Sequence, residues 1–357
     1  MQKSGSSARF IAVAVISALA LVACGGDDKV AAPKRKKPPS TTTTTTAPVP
    51  TAPFTGRPDP DGVANARSSL AVKIENSPDA RPQSGLDVAD IVYEEVVEGG
   101  ITRFWAVFNS RTPDVIGPVR SVRAMDPPIV RPLGGVIAFS GGTSPNVAAV
   151  RATGLVWVDE GNAGDNFFRE SSRSAPHNLY AHSALLFQRG GKPVPPRPMF
   201  TYVKDEATFA GESVVSFHVS FDQGYDVTYV WDAGIGRWRR SQSGAPFMAI
   251  GSTFTPTQVA PTNVIVQFVN YPRGSEGETI GSGEAWYFSN GQLVKGYWKK
   301  LYFGAATTFV NTFGVPIRLT PGSTWVELLP NGRAVDVLPG APPATTTSTS
   351  APKKETK

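Results

Sequence analysis

The chain has 357 residues and a formal net charge of +6, with 35 lysines and arginines against 29 aspartates and glutamates. A length of this order suggests about two domains, and a hydrophobic content of 40% supplies enough apolar material for a sizeable core. A single cysteine excludes a disulfide framework and a thiolate metal cluster. The positive charge raises the question of nucleic-acid binding, which depends on where that charge lies.

The basic excess lies at the two ends of the chain. Residues 1–53 hold 7 basic and 2 acidic residues, and residues 341–357 hold 3 basic and 1 acidic residue. Residues 54–340 therefore keep 25 basic and 26 acidic side chains. Because a nucleic-acid binder concentrates basic residues on its folded face, we expect no nucleic-acid partner.

The N-terminus has the pattern of an export signal. Residues 1–9 are short and basic, and residues 10–22 are apolar without a charge, a run too short to span a bilayer core, which takes about 20 residues. The run ends in the segment LVAC at residues 21–24, which resembles the bacterial lipobox. That resemblance implies that Cys24 becomes the first mature residue and carries fatty acyl chains such as palmitate. It predicts an extracytoplasmic protein anchored to the cell membrane by this lipid, with residues 1–23 as the signal peptide.

Both ends of the mature chain are predicted to be disordered tethers. Residues 24–55 contain a basic cluster, several prolines and a run of six threonines, and residues 339–357 have the same Pro/Thr/Ser character. Such segments bury too little apolar surface to offset the entropy of ordering.

The first half of the body, residues 56–205, is predicted to form an α/β or α+β domain with a mixed sheet. Valine-, isoleucine- and aromatic-rich strands are expected at 70–74, 90–97, 101–108, 136–140 and 156–158. A helix is expected at 145–153, with Pro145 at its first position and Gly154 after its end. Strands that alternate with helical segments are typical of layered α/β domains.

The second half, residues 206–338, reads as short strands and turns without a helical period. Asn290-Gly291 stands between two strand patterns and is the dipeptide favoured in a type I′ hairpin. This pattern predicts a mostly antiparallel all-β domain, either a sandwich or a barrel.

Charged side chains concentrate in and beside the strands of the first half. Arg120 and Arg123 stand three residues apart around a turn, and arginine suits bidentate recognition of carboxylate or phosphate. Glu94 and Glu95 are adjacent on one strand, so they face opposite sides of the sheet and at least one needs a partner. The alternative interpretation is that these groups form internal salt bridges. The candidate anion-binding residues are Arg81, Arg103, Arg120, Arg123, Arg173, His177 and Asn178, and the candidate carboxylate partners or metal ligands are Asp90, Glu94, Glu95 and Asp126.

The sequence assigns no catalytic residue, metal site or cofactor. Ser171, Ser172 or Ser174 beside His177 raises the possibility of a hydrolase, but no nucleophile-elbow motif is present. The three histidines show no metal-ligand spacing.

Several motifs resemble the YerB-like family of bacterial lipoproteins, which has two domains of unknown function. They are AVKIEN at 71–76, ADIVYE at 89–94, GPVRS at 117–121, FSGG at 139–142, SRSAPHNLY at 172–180, NVIVQ at 263–267, GSG at 281–283 and TPGSTWV at 320–326. The resemblance covers residues 65–330 and implies an envelope lipoprotein. With it we expect a binding function, directed at a cell-wall polymer or an envelope protein, more readily than an enzymatic one.

A second, looser resemblance is to the LytR-CpsA-Psr phosphotransferases. The order of Arg81, Asp90, Arg120 and Arg123 is similar to that family's, which implies arginines on a pyrophosphate and Mg²⁺ on acidic side chains. The family's Ser-Asp-Thr is replaced here by Ala89-Asp90-Ile91, and the acid after the second arginine is displaced to Asp126. The choice between a binding protein and such an enzyme rests on where the arginines point.

Overall fold

The structure is a computed structural model that describes residues 49–191, 194–204, 209–221, 224–251 and 255–341. Cys24, the export signal, most of the N-terminal tether and the C-terminal tail lie outside the described residues, so the statements about them stay predictions.

The described residues up to 191 contain nine strands. They are β1 (Leu70–Glu75), β2 (Gln83–Ser84), β3 (Ile91–Val96), β4 (Thr102–Phe108), β5 (Val115–Ile116), β6 (Val136–Ala138), β7 (Val156–Val158), β8 (Phe167–Arg169) and β9 (Leu179–His182). The α-helices are α1 (Asp126–Val130), α2 (Ser144–Arg151) and α3 (Ser183–Gln188). Short 3-10 turns lie at Ala64–Ala66, Pro78–Ala80, Glu98–Gly100, Arg131–Leu133 and Gly164–Asn166.

The remainder of the described chain is built of strands alone. They are β10 (Thr201–Tyr202), β11 (Glu212–Val219), β12 (Val227–Asp232), β13 (Arg237–Gln242), β14 (Ala245–Pro246), β15 (Met248–Ile250), β16 (Pro256–Gln258), β17 (Asn263–Val269), β18 (Gly281–Ser289), β19 (Gln292–Lys300), β20 (Thr308–Asn311), β21 (Arg318–Leu319), β22 (Thr324–Pro330) and β23 (Val335–Pro339).

One large mixed sheet runs through both halves of the described body. Its order is β14-β13-β12-β11-β19-β18-β17-β22-β3-β4-β1-β6-β7, with β20 paired to β19 and β23 paired to β11. The first-half part mixes parallel and antiparallel pairs, whereas the second-half strands are mostly antiparallel. The predicted fold class is confirmed; of the two forms left open for the second half, no closed barrel forms among the described strands, and the sheet ends in open edges at β14 and β7.

Strand β22 joins the two halves. It lies between β17 and β3 and is parallel to both, with Thr324 opposite Ile91 and Leu328 opposite Glu95. Strands from both sides of the predicted boundary near residue 205 therefore share one sheet, while the division into two domains stays a prediction.

Strand β3 is buried on both faces. Ile91 and Tyr93 belong to one apolar core, and Val92 and Val96 pack into cores on the other side of the sheet. Each polar side chain on a strand that is buried on both faces needs a hydrogen-bond or ion-pair partner. We therefore expect buried polar contacts at Glu94 and Glu95, near the end of β3.

Local details also follow the sequence. Asn290 and Gly291 both have positive φ, as a type I′ turn requires, and they join β18 to β19. The chain segment just before the body departs from the prediction, because Phe54, which we assigned to the tether, is fully buried in the core with Tyr93. Its aromatic side chain supplies the apolar surface that the rest of the tether lacks.

Within the described ranges, no helix has the length and apolar character needed to cross a bilayer.

Candidate functional site

Three of the predicted arginines meet at one end of the large sheet. Arg103 of β4 lies in register between Glu75 of β1 and Glu95 of β3. The segment that carries Arg120 and Arg123 crosses this end of the sheet, because the Arg120 amide donates to the carbonyl of Lys73 over 2.8 Å. We call Arg103, Arg120 and Arg123 the arginine cluster.

The cluster is organised around the backbone of Ser121. The Ser121 carbonyl accepts a hydrogen bond of 2.8 Å from Nη1 of Arg103 and one of 3.5 Å from Nη1 of Arg123. The Ser121 hydroxyl lies 3.3 Å from the hydroxyl of Ser140, at the glycine turn before α2. Gly142 in that turn permits the close approach, since a Cβ there would meet the carbonyl oxygen of Val122 at 3.2 Å.

Two members of the cluster have carboxylate partners. Nη2 of Arg120 lies 3.1 Å from Oε1 of Glu75, and Nε of Arg123 lies 2.7 Å from Oε1 of Glu98. The first carboxylate is buried, whereas Glu98 is 61% exposed. The predicted internal salt bridges therefore exist, but with Glu75 and Glu98 as the acids.

Arg103 differs from its two neighbours. It is 6% exposed and forms no ion pair with any described residue, whereas its buried Nε lacks a hydrogen-bond partner among the described residues just as that of Arg120 does. Burial, and then the charges of Arg123 and Arg120, lower the pKa of Arg103 to about 10, while the charges of Glu98 and Glu95 act in the opposite direction. The guanidinium thus remains charged at neutral pH, and no described carboxylate lies within ion-pair distance of it.

His177 joins the edge of this site through Glu75. Its Nδ1 lies 2.9 Å from Oε1 of Glu75 and 3.3 Å from Oγ of Ser77. The Ser77 hydroxyl donates to Oε1 of Glu75 over 2.7 Å, and Nε2 of His177 lies 3.8 Å from Oδ2 of the exposed Asp79. The hydrolase hypothesis needs one of Ser171, Ser172 and Ser174 on the ring. The described contacts of the ring include none of these three serines, so the geometry gives that hypothesis no support.

Arg173 and Asn178 hold the loop that presents His177. Arg173 donates to the carbonyls of Asp79 and Pro82 over 3.1 and 2.9 Å. The Asn178 amide donates back to the carbonyl of Arg173 over 3.2 Å. These two candidates therefore position the loop, and Arg173 also lines a cavity of about 290 Å³ beside Pro82 and Tyr180.

Glu95 and Asp126 form a buried network behind the arginine cluster. The Lys73 ammonium forms ion pairs with Glu95 and with Oδ1 of Asp126, the latter at 2.8 Å. Oδ1 of Asp126 also accepts a hydrogen bond of 2.6 Å from the Trp105 indole N–H. The second Asp126 carboxylate oxygen, Oδ2, accepts a hydrogen bond of 2.6 Å from the backbone N–H of Arg123. Burial, and then the nearby Asp126 charge, raise the pKa of Glu95 to about 8.

Glu94 points to the other side of the sheet, as adjacent positions on a strand require. Its Oε2 lies 2.7 Å from Nη2 of Arg240, and its Oε1 accepts bonds from Thr102 and Asn76 over 2.6 and 3.2 Å. Arg81 is tied to this second network, because its Nε donates to the Asn76 side chain over 3.2 Å. Arg81 and Glu94 are therefore not part of the arginine cluster.

Asp90 lies at the far end of β3, roughly 17 Å along the strand from Glu95. Its carboxylate accepts hydrogen bonds of 2.6 and 2.7 Å from the backbone N–H groups of Asn109 and Ser110. Burial raises the pKa of Asp90 despite these bonds. The arrangement fixes the turn after β4 and does not bring Asp90 to the arginines.

The candidate metal ligands are thus dispersed over three places. Among the residues that the structure describes, no group of three or more His, Cys, Asp or Glu side chains is placed to hold a metal ion. The phosphotransferase interpretation expected Asp90 or Glu94 beside Arg120 and Arg123, and the geometry does not provide this arrangement.

Several important residues escaped the sequence analysis. Lys73, Arg240 and Glu327 are fully buried charges inside strands. The signal was present for Lys73, because one lysine inside the otherwise apolar run of β1 must find a buried counterion. Nothing local marked Arg240, whose partner Glu94 is 146 residues away.

Comparison with known proteins gives two family matches and one curated relative. Residues 54–192 match the family model described as "Protein of unknown function (DUF3048) N-terminal domain", and residues 217–326 match the corresponding C-terminal domain. The chain is 29% identical over 311 residues to the Bacillus subtilis protein named "Putative lipoprotein YerB", covering 81% of this chain and 89% of the relative.

The fold agrees with a solved structure. The crystal structure of YerB from Bacillus subtilis superposes with a TM-score of 0.69 at 25% identity, covering 80% of this chain and 99% of the other. The predicted resemblance is confirmed in sequence and in fold. The chain belongs to the DUF3048 family and carries both its N-terminal and its C-terminal domain.

Proposed function

We propose that this protein is a lipid-anchored envelope protein whose arginine cluster binds the anionic groups of a cell-envelope polymer. The anchor is Cys24, held by acyl chains in the cell membrane. The observation that carries the binding proposal is Arg103, a buried guanidinium that forms no ion pair with any described carboxylate and lies beside two further arginines.

The uncompensated charge favours an anion as the ligand. A buried charge without a partner is costly, and a phosphate or carboxylate would supply the missing counter-charge. Guanidinium groups form short, paired hydrogen bonds with such oxygens. The hydroxyls of Ser121 and Ser140 stand beside the arginines and can donate further bonds.

The shape of the site favours a polymer over a small enclosed substrate. Ser121, Ser140 and Gly141 are all partly exposed, so the arginine cluster lies at the surface of the body. A surface site of this kind can take one repeating anionic unit while the rest of the chain continues past it. A long tether between Cys24 and the body would let the body reach such a polymer away from the membrane.

The binding proposal is tested with Arg103→Gln in the full-length protein. We expect the affinity for a synthetic poly(glycerol phosphate), measured by calorimetry, to fall at least tenfold, because one charge-assisted bidentate contact is lost. Arg239→Gln is the matched control, since Arg239 of β13 is a half-exposed arginine paired with Asp232 of β12. The same titrations with polyglutamate and with pyrophosphate plus Mg²⁺ show which anion the site prefers. If the wild type and Arg103→Gln bound poly(glycerol phosphate), polyglutamate and pyrophosphate with equal affinity, the proposed site would be refuted.

The anchor is tested separately by metabolic labelling with a fatty acid. We expect the label on the wild-type protein and none on Cys24→Ser. Label that persists in Cys24→Ser would contradict lipid attachment at this residue and leave the polymer site untouched.

A further inference from the structure

An apolar pocket lies beside β20, β21 and the segment that joins them. Its volume is about 360 Å³, and its walls come from residues 198–201, from β17 and from residues 306–319. The deepest lining side chains are Met199, Phe200, Ile265 and Leu319, all buried in the body. Ligand sites in proteins begin at about 300 Å³ and are mostly apolar, so the pocket is large enough for one apolar ligand.

A much smaller cavity adjoins this pocket; its lining is mainly apolar but includes buried polar groups, and we call it the polar cavity after them. It has a volume of about 20 Å³ and shares Met199 and Thr307 with the apolar pocket as lining residues. Lys300, Gln267 and Thr279 also line it, and all three are at least nine-tenths buried.

The polar groups at this cavity are incompletely satisfied. The Thr279 hydroxyl is buried and has no hydrogen-bond partner among the described residues. The Lys300 ammonium has three N–H groups; it donates to the Ala305 carbonyl and forms no ion pair with a described residue. Burial without a counter-charge lowers the pKa of Lys300 to about 8.

We infer that the two cavities together form a binding site for a fatty acid. The carboxylate occupies the polar cavity against Lys300 and Thr279, and the hydrocarbon chain lies along Met199, Phe309 and Ile317. The small polar cavity suits a carboxylate better than a phosphate with its larger set of oxygens. The volume of the apolar pocket, near the lower end of the usual range, suits one chain rather than two.

The neighbouring surface gives a hydrocarbon ligand a route to the pocket. Leu301, Tyr302 and Phe303 follow β19 directly, and the first two are 70% and 64% exposed. Ala306 and Thr308, a few residues further on, are already lining residues of the pocket. Aromatic and aliphatic side chains in this position suit the boundary between water and acyl chains.

The test uses the full-length protein in phosphatidylcholine vesicles with a photoactivatable, alkyne-bearing palmitate analogue. We expect labelling of peptides that contain Met199, Phe309 or Ile317, and at least a fivefold loss of that labelling in Lys300→Met. This variant removes the charge but keeps the length of the side chain, and replacing a buried, unpaired ammonium by an apolar group is compatible with folding. Lys299→Met is the matched control, because Lys299 is the exposed neighbour on the same strand.

Two further measurements decide the assignment. Palmitate in excess should displace the probe, whereas hexadecanol, which lacks the carboxylate, should displace it at least fivefold less effectively. Ala306→Phe, which fills the pocket, should also abolish the labelling. No pocket labelling in the wild type, or equal labelling in Lys300→Met and Lys299→Met, would overturn the fatty-acid site. Arg103→Gln should leave the labelling unchanged, since this site does not rest on the arginine cluster.

Discussion

Two networks of buried charges lie back to back across β3, and they differ in how completely the charges are compensated. On one side, Glu94 pairs with Arg240, whose guanidinium lies 4.0 Å from the ring centroid of Phe247 and 4.8 Å from that of Trp325. On the other side, Glu95 shares Lys73 with Asp126, and Arg103 beside them has no carboxylate partner in the part of the chain that the structure describes. We call the first set, around Glu94 and Arg240, the closed network because its members are buried in the cores. We call the second set, around Glu95 and Arg103, the open network because it extends to the surface of the body.

The difference separates a structural role from a binding role. The members of the closed network are fully buried and come from distant parts of the chain, with Glu94 in β3, Arg240 in β13 and Glu327 in β22. Glu327 stands opposite Glu94 in the register of the two strands. A network of this kind favours one pairing of these strands, whereas the open network has one positive charge left for a ligand.

The largest effect is expected when the closed network is broken. Arg240→Met leaves the buried carboxylate of Glu94 without its ion-pair partner, and such a loss costs about 3–5 kcal/mol of unfolding free energy. Urea denaturation followed by tryptophan fluorescence measures the change. Arg239→Met next to it removes an arginine paired with Asp232 at the surface and should cost less than about 1 kcal/mol. Equal losses in the two variants would contradict the structural role.

The second prediction concerns pH on the open side. The folded-state pKa of Glu95 is raised to about 8 by burial and Asp126, from an ordinary value of 4.5. Between these two values the folded protein binds the proton more tightly than the unfolded chain, so this group makes stability fall as pH rises from about 4.5 to about 8. The slope for one proton is at most about 1.4 kcal/mol per pH unit.

Glu95→Gln should flatten the pH dependence of the unfolding free energy in that window. Glutamine is close to the neutral carboxyl in shape and carries no titrating proton. Urea titrations at pH 5 and pH 8 measure the change, with Glu160→Gln at the exposed pair with Arg169 as control. A slope in Glu95→Gln as steep as in the wild type would show that Glu95 is not held neutral by its surroundings.

The local parts of both networks could be predicted from the sequence. The strand patterns placed Glu94 and Glu95 on one strand and therefore on opposite faces, and the short distance from Arg120 to Arg123 brought these two together. The turn at Asn290-Gly291 was predictable for the same reason, since its geometry depends only on adjacent residues.

The rest depends on contacts between distant residues. The insertion of β22 beside β3 pairs residue 91 with residue 324, and no periodicity within either strand specifies that partner. The candidate carboxylate partners predicted for the arginines were therefore Asp90, Glu94, Glu95 and Asp126, whereas the fold pairs Arg120 with Glu75. Arg240 could not be matched with Glu94 at all, because the match requires the order of strands across the whole sheet.

Glu98→Gln is expected to have the smallest effect on the unfolding free energy. It is also the variant that tests ligand binding by the open network most directly. Glu98 is 61% exposed and pairs with Arg123, so its loss should change the unfolding free energy by less than about 1 kcal/mol. It also removes the one exposed carboxylate that competes with a ligand for the arginine cluster. Affinity for poly(glycerol phosphate) should therefore rise about two- to fivefold, as expected for one partly screened charge, while Glu160→Gln leaves it unchanged. If Glu98→Gln weakened binding instead, Glu98 would be holding Arg123 in place for the ligand, and the uncompensated charge of Arg103 alone would not explain the affinity.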